Sequence, residues 1–438
     1  MNLPLHVSDL HGLSRLGVDG VRGVTDLVED VHHAVLRVPG IRAVAPDRRT
    51  GGITGLVYRS INGVTGLVGG GLNLAFGQVV PLLSPPVSSP AREQFLAILN
   101  GVLGDHLAAS DNPLAIQSSL RRVGRPVALD RASLAEAWPE ASNRLLVTAH
   151  GLCMHDGEWR SVNEGKNRDE LDEGFSGLPE SLAISHGYST VDFHYNTGRH
   201  ISDNGRDLDE MLERLVANWP VPVEQLVVLC HSMGGLVARS AAHYGLEAGH
   251  AWPERLKKMV FLGTPHHGSP VERAGHGIDR ALGISRYSAP FARLGKMRSA
   301  GITDLRHGNI IESDWYDGDT RHDAGRDAGY DAGHDNRDNN RREHDRFAHA
   351  HDTRSPARLP GHVECFTVAA TLDDASNSAR ARRFGDGLVP VPSALGQHED
   401  SALALPIDIH NRYVATETGH LDLLRCPDVA RKVHAWLA

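Results

Sequence analysis

Short apolar runs alternate with helical patterns of apolar residues from about residue 90 to the end of the chain. Six runs rich in Val, Leu and Ala have the length of buried strands, and helical spacing follows several of them. The predicted strands are 145–149, 190–195, 225–230, 258–262, 363–370 and 412–415. The predicted helices are 91–106, 132–138, 208–219, 236–244 and 427–437, with a hairpin around 124–126. Strands that alternate with helices predict a mainly parallel sheet covered by helices on both faces.

The first 90 residues carry helical periodicity only, and they predict a Gly-rich helical extension before a catalytic domain at 91–438. Two periodic segments, 8–38 and 52–82, contain similar hexapeptides and would form a helical hairpin. The second segment is almost uncharged, which leaves a membrane-surface helix open beside an ordinary packed helix. Polar residues and a Gly69-Gly70-Gly71 run interrupt it, so a membrane-spanning helix is not favoured.

Two stretches interrupt the alternation in the second half. Residues 269–311 stand where a cap over a pocket would lie. Residues 317–358 contain a four-residue Asp-Ala-Gly repeat and then little but Asp, Asn, Arg and His. Such a composition buries too little apolar surface to fold alone and predicts a disordered insertion, with a metal-binding tail as the alternative.

Charge, cysteine pattern and the N-terminal sequence exclude several classes of protein. The net charge is −9 and the sequence has no basic stripe, which argues against nucleic-acid binding. The four cysteines form no CxxC pair, and we expect them to be reduced and mostly buried. The N-terminus has neither a basic region nor an uninterrupted apolar core, so we expect no signal peptide and a cytoplasmic location.

The clearest chemical signal is the stretch 225–238, where a predicted strand turns sharply at Ser232 into a predicted helix. A strand, a tight turn centred on Ser and a helix make a nucleophile elbow, in which the hydroxyl projects above the sheet. The elbow demands small residues around the serine, which Gly234 and Gly235 provide, while Cys230 stands where the G-x-S-x-G pattern has Gly. The alternative is an ordinary strand-to-helix turn.

Candidates for the other members of a catalytic triad follow later strands. Asp386 lies between two glycines after the strand 363–370, and His420 follows the strand 412–415. The order Ser, Asp, His is the chain order of α/β-hydrolases. His420 would take the proton of Ser232, and Asp386 would orient the imidazole. The rivals that the sequence leaves open are Asp373 and Asp374 for the acid, and His398 and His410 for the base.

An oxyanion hole needs two N–H donors close to the nucleophile. The Met233 N–H follows Ser232 directly, and the Leu152 N–H, in the loop after the strand 145–149, is the expected second donor. We expect five further residues to shape or contact the substrate pocket: His150, Gly151, His231, Thr264 and His266. A metal at the His266-His267 pair is the less favoured alternative, because no third ligand stands at a recognisable spacing.

Taken together, these motifs carry a resemblance to a known family. His150-Gly151, the segments 230–235, 263–269 and 385–390, and Gly419-His420 together resemble α/β-hydrolase lipases and esterases. The group that looks most similar contains the GPI inositol-deacylases and bacterial triacylglycerol lipases. The resemblance covers residues 113–438 without the insertion. It implies a carboxylic-ester hydrolase for lipid-like or acyl-ester substrates, with Ser232, Asp386 and His420 as triad and no cofactor.

The expected function is therefore ester hydrolysis through an acyl-enzyme on Ser232. The same triad could instead transfer the acyl group to an alcohol or cleave amides. A non-enzymatic alternative also stays open. In it the chain is a membrane-associated binding protein with a vestigial triad, and residues 52–82 are its membrane contact.

Overall fold

The computed structural model describes residues 6–20, 65, 67–68, 70–74, 89–160, 177–269, 299–315, 354–357, 359–376 and 378–438. Most of the predicted cap and the Asp-Ala-Gly repeat therefore lie outside the described residues. The same holds for most of the two predicted N-terminal segments.

In the described part of the chain, eight strands form one sheet in the order β2-β1-β4-β3-β5-β6-β7-β8. The strands are β1 Ser119–Arg122, β2 Arg125–Pro126, β3 Arg144–Ala149, β4 Ser189–His194, β5 Gln225–His231, β6 Leu256–Leu262, β7 Glu364–Ala370 and β8 Arg412–Ala415. The hairpin β1–β2 is antiparallel, and β1 also runs antiparallel to β4. All other neighbours are parallel. The six predicted strands are confirmed, together with the predicted hairpin.

Helices cover both faces of this sheet. They are α1 Pro90–Ala109, α2 Arg131–Ala137, α3 Leu178–His186, α4 Ile201–Asn218, α5 Met233–Ala248, α6 Trp252–Arg255, α7 Ala300–His307, α8 Ala379–Phe384, α9 Val391–Ala394 and α10 Pro427–Leu437. α4 begins at Ile201 rather than at the predicted Leu208, because its first turns carry Asp203, Asn204 and Arg206, which hide the apolar period. α3 was not predicted.

The period of two along each strand divides the core into two layers. Leu145, Val147 and Ala149 of β3 join a cluster with apolar residues of α4 and α5. Leu146, between them, points to the opposite face and joins a cluster with residues of α3 and α10. Strands of a sheet that is buried on both faces have continuous apolar runs in their sequences. The strands were predicted from this pattern.

Residues 7–20 form a helix that packs on α1. Arg92 of α1 holds Asp9 through two hydrogen bonds, from Nε at 2.8 Å and from a terminal nitrogen at 2.6 Å. Both side chains are largely buried, so this ion pair has the geometry in which a bidentate guanidinium is effective. The start of the chain is thus joined to the first helix of the predicted catalytic domain.

Two further sequence expectations can be compared with the structure. All four cysteines are free, and Cys153, Cys230 and Cys365 are buried, as expected. Among the described residues, no helix combines the length and the apolar character that crossing a membrane requires. The sheet order and the helices on both faces are those of an α/β-hydrolase fold, and the predicted fold class is confirmed.

Candidate active site

Ser232 stands at the sharp turn between β5 and α5. Its backbone has φ 53° and ψ −125°, a conformation that residues with a side chain adopt at a cost of about 1–3 kcal/mol. The Ser232 N–H donates to the Leu262 carbonyl at 2.8 Å, so the turn is anchored to the end of β6. Ser232 is 6% exposed, whereas His231 and Met233 on either side of it are fully buried.

The elbow needs glycine because helix and strand approach closely. A Cβ on Gly234 would lie 2.4 Å from the Ala149 carbonyl oxygen and 2.6 Å from that of His150. A Cβ on Gly235 would lie 2.1 Å from Thr264 Oγ1. Cys230, which replaces the first Gly of the pattern, is fully buried in the core, so its small side chain is accommodated before the turn.

Asp386 and His420 are hydrogen-bonded to each other. His420 Nδ1 lies 2.7 Å from Asp386 Oδ2, and both side chains are buried. The other carboxylate oxygen, Oδ1, accepts the N–H groups of Leu388 and Val389 at 2.9 and 2.8 Å. The positive φ values of Gly385 and Gly387 fold the chain back so that these two N–H groups reach the carboxylate.

His420 lies at the ends of β6 and β8, next to His231, the residue before Ser232. A Cβ on Gly263 would lie 3.2 Å from His420 Nδ1, so the imidazole rests on the residue that follows Leu262. Leu262 is also the backbone partner of Ser232. The loop before His420 is fixed by the Thr418 N–H, which donates to the Thr371 carbonyl at 2.9 Å.

The rival candidates stand elsewhere. Asp373 accepts a short hydrogen bond from Ser378, and its other oxygen lies 3.5 Å from Arg380 Nε. Asp374 and His410 are exposed. His398 Nδ1 accepts the Asp400 N–H at 3.0 Å. Of the carboxylates and histidines that the sequence left open, the structure brings Asp386 and His420 together.

His231 supports the loop that carries His420. Its Nε2 donates to the His420 carbonyl at 3.0 Å, and the two rings have centroids 4.8 Å apart. Because a carbonyl only accepts, Nε2 carries the proton and Nδ1 is the free lone pair. Burial, with the charge of His420 as a smaller cause, lowers the pKa of His231 to about 3, which keeps the ring neutral. The sequence offered no sign of this contact.

The loop after β3 lies against the nucleophile. A Cβ on Gly151 would lie 3.0 Å from Ser232 Cβ and 3.1 Å from His231 Nδ1. His150 is fully buried and stacks on Tyr195 with centroids 4.5 Å apart, and burial lowers its pKa to about 4. The Tyr195 hydroxyl donates to the His150 carbonyl at 2.7 Å. These contacts hold the loop that contains Leu152.

A network of charged side chains stands behind that loop and was not predicted. Asp156 is 3.0 Å from Arg121 and 2.9 Å from Arg160, and Arg160 also makes a short contact with Asp192. Thr148 of β3 donates to Asp192 at 2.8 Å. Its members come from β1, β3, β4 and the loop after β3, so no local sequence pattern connects them.

Two more predicted pocket residues follow β6. Thr264 is fully buried against Gly235, and its hydroxyl has no hydrogen-bond partner among the described residues. His266 is buried edge-on to Phe261, with Nδ1 3.4 Å from a terminal nitrogen of Arg239. Burial lowers the pKa of His266 well below its ordinary value. No group of three or more His, Cys, Asp or Glu side chains that could hold a metal ion occurs in the described ranges.

Part of the chain matches a known family model. Residues 141–325 match the family model described as the PGAP1-like alpha/beta domain. This part of the chain is similar to a PGAP1-like alpha/beta domain. The match confirms the resemblance that the motifs predicted. It includes Ser232 and the loop after β3, and it ends before Asp386 and His420.

Solved structures give distant likenesses. A metagenomic carboxyl esterase is 18% identical over 79% of this chain and 88% of its own, with a TM-score of 0.32. A Pyrococcus furiosus esterase is 13% identical over 67% of this chain and 81% of its own, with a TM-score of 0.34. A Paleococcus ferrophilus monoacylglycerol lipase is 15% identical over 67% of this chain and 93% of its own, with a TM-score of 0.31. Values this low say nothing about substrate. No curated protein matches the chain.

Proposed function

We propose that the protein is a serine hydrolase that cleaves carboxylic esters of lipid-like or acyl-ester type through an acyl-enzyme on Ser232. The observation that carries the proposal is the strained Ser232 turn beside a buried His420–Asp386 pair. A solvated surface His and Asp would have no reason to meet at the carboxyl ends of three different strands next to a strained serine.

The roles follow from the geometry. Since Asp386 accepts the proton on Nδ1 of His420, Nε2 is left as the base that takes the Ser232 proton during attack on the acyl carbon. The imidazolium then returns this proton to the leaving alcohol. Water repeats the cycle and releases the acid.

The oxyanion that forms during attack needs two donors. The Met233 N–H is at the first position of α5, where helix N–H groups have no partner within the helix. The Leu152 N–H is our second donor, in the loop whose Gly151 abuts Ser232. In this scheme four buried side chains support the residues of the site from inside the protein: His150, His231, Thr264 and His266.

The test is hydrolysis of p-nitrophenyl esters, from short to long acyl chains, by wild type and Ser232→Ala. We expect Ser232→Ala to lower kcat/KM by at least about a thousandfold. Ser240→Ala is the matched control, because Ser240 is a buried serine of the same helix whose hydroxyl has no partner among the described residues. Full activity in Ser232→Ala would refute the acyl-enzyme.

The alternatives predict different products. An acyltransferase with the same triad would transfer the acyl group to an added second alcohol. It would form a new ester at the expense of hydrolysis. An amidase would prefer anilides to esters. A binding protein with a vestigial triad would turn over none of these substrates and would still bind lipid.

We also propose peripheral membrane contact through residues 52–82. In this stretch, described helical residues expose Leu67 to 80% and Leu74 to 69%. Replacing both with Asp should weaken co-sedimentation with phosphatidylcholine–phosphatidylglycerol vesicles, since apolar area drives such binding. The control is Ile184→Asp, which removes an equally exposed apolar side chain (77% exposed) from α3, outside residues 52–82. It should leave vesicle binding unchanged. Unchanged vesicle binding in the double variant would exclude this contact.

A further inference from the structure

The loop after β3 carries the Leu152 N–H and contains a turn that its own sequence does not favour. The Met154 N–H donates to the Gly151 carbonyl at 3.3 Å, so Leu152 and Cys153 are the central residues of the turn. Cys153 has φ 58°, in the left-handed region that glycine favours and that strains a residue with a side chain. Strained backbone persists only where its surroundings hold it. Contacts from other elements must therefore hold the proposed oxyanion donor in place.

Two of these contacts are made by Cys153 itself. Its N–H donates at 3.2 Å to Thr197 Oγ1, which lies in the loop after β4. Its side chain packs on α1, where a Cβ on Gly101 would lie 2.1 Å from Cys153 Sγ and 3.2 Å from its Cα. α1 precedes residues 141–325, the part of the chain that matches the family model. A segment outside that match is therefore in direct contact with the loop.

Asp156 fixes the far end of the loop, four residues after Leu152, and its side chain is 1% exposed. Oδ1 accepts a hydrogen bond from Arg121 of β1 at 3.0 Å, and Oδ2 accepts one from Arg160 at 2.9 Å. His194 of β4 has Nδ1 3.4 Å from Asp156 Oδ1, and burial lowers the pKa of His194 well below its ordinary value. The ring is thus neutral, and the two guanidinium groups supply the charge-assisted bonds that fix the carboxylate from two directions.

Other acids hold the two arginines in turn. Arg121 also donates to Glu93 of α1 at 3.0 Å, and Arg160 makes a short contact with Asp192 of β4. Asp192 accepts the hydroxyl of Thr148, on the strand from which the loop leaves, at 2.8 Å. The network therefore joins the end of the loop to α1, β1, β3 and β4, and it can resist the strain of the turn.

We propose that Asp156 is a positioning residue for the oxyanion hole. Together with Arg121 and Arg160 it holds the strained turn that presents the Leu152 N–H to the oxyanion. This inference rests on the proposed ester hydrolysis. An oxyanion donor forms its full hydrogen bond only in the transition state, so a displacement of about 1 Å is costly there. Loss of the Asp156 charge should therefore slow the reaction and leave the binding of the ground state unchanged.

The test is Asp156→Asn, which keeps the size of the side chain and removes the charge that both arginines bind. We expect kcat to fall by about ten- to a hundredfold while KM changes by less than about twofold. Asp209→Asn is the matched control, because Asp209 is a buried carboxylate of α4 that bonds to Trp252 and His250. Both variants should lower the Tm, but only Asp156→Asn should lower kcat. An unchanged kcat in Asp156→Asn, or an equal loss in Asp209→Asn, would overturn the proposal.

A second measurement needs no substrate. Hydrogen exchange of the folded full-length protein, read by mass spectrometry, should be faster in the peptide that contains 150–156 in Asp156→Asn but not in Asp209→Asn. If Asp156→Asn does not fold, Arg160→Gln takes its place, since it removes one of the two guanidinium groups at a partly exposed position. Exchange equal to that of wild type would overturn the proposal. If wild type hydrolyses no ester, the proposed function fails, and the exchange result alone decides whether Asp156 holds the loop.

Discussion

Ser232 is held in a conformation that costs energy, and its neighbours explain how it is kept there. Its N–H is bonded to the end of β6, and Gly151 and Gly263 leave room for Ser232 and His420 respectively. Asp386 is equally constrained, with one oxygen on two backbone N–H groups and the other on His420. Such fixed side chains suit catalysis, because geometry need not be reorganised during the reaction.

The first prediction concerns this carboxylate. We expect Asp386→Asn to lower kcat/KM by about ten-thousandfold, because an amide at this position favours the wrong imidazole tautomer. Asp373→Asn is the matched control, since Asp373 also follows β7 but bonds to Ser378 instead. Steady-state kinetics of both variants on one ester decides the matter. An active Asp386→Asn, or an inactive Asp373→Asn, would place the acid elsewhere.

At the scale of elements, the close contact of α5 with β3 sets the position of the nucleophile. Gly234 faces the carbonyl oxygens of Ala149 and His150, which cannot move without disturbing β3. The same carbonyl of His150 accepts the Tyr195 hydroxyl. α5, β3 and the loop after β3 are therefore in direct contact with one another at the nucleophile.

The second prediction tests that contact. Gly234→Ala should lower the free energy of unfolding by about 1–3 kcal/mol, because the overpacking outweighs the better helix propensity of Ala. Gly361→Ala should change it by less than about 0.5 kcal/mol, since a Cβ there meets nothing within 4 Å. Urea unfolding of the two variants gives both values. Equal stability would mean that the strand and helix tolerate separation.

The sequence predicted elements well wherever a local pattern carried them. The strands were recognisable as continuous apolar runs, and Pro427 marked the start of the last helix. The Ser, Asp and His positions came from short motifs at strand ends. Contacts between distant segments left no such pattern: the bond from His231 to the His420 carbonyl and the network of Arg121, Asp156, Arg160 and Asp192 depend on the tertiary fold.

At the scale of the whole molecule, several histidines are buried in neutral form at the ends of β3, β5 and β6. Burial lowers the pKa of His150 to about 4 and those of His231 and His267 to about 3. Each of them takes up a proton on unfolding once the pH falls below about 6.5. The folded state does not gain this proton until the pH reaches the lowered value.

The third prediction follows from the sign of these shifts. Stability should be full above about pH 7 and fall as the pH drops below about 6.5, by about 1.4 kcal/mol per pH unit for each such histidine. Urea unfolding at about pH 7.5 and about pH 5.5 measures it. His231→Gln keeps a donor for the His420 carbonyl and should reduce the slope of stability against pH by the contribution of one histidine. His410→Gln, at an exposed site, should leave this slope unchanged. A slope unchanged in His231→Gln would contradict the buried neutral ring.

The central claim is that the fold activates Ser232 as a nucleophile. Its most direct test is labelling with a fluorophosphonate, which reacts with an activated serine whatever the natural substrate, followed by mass spectrometry of the peptides. We expect one adduct, on Ser232, which is absent from Ser232→Ala and forms much more slowly in Asp386→Asn. An unlabelled wild-type protein, or an adduct on another residue, would contradict it.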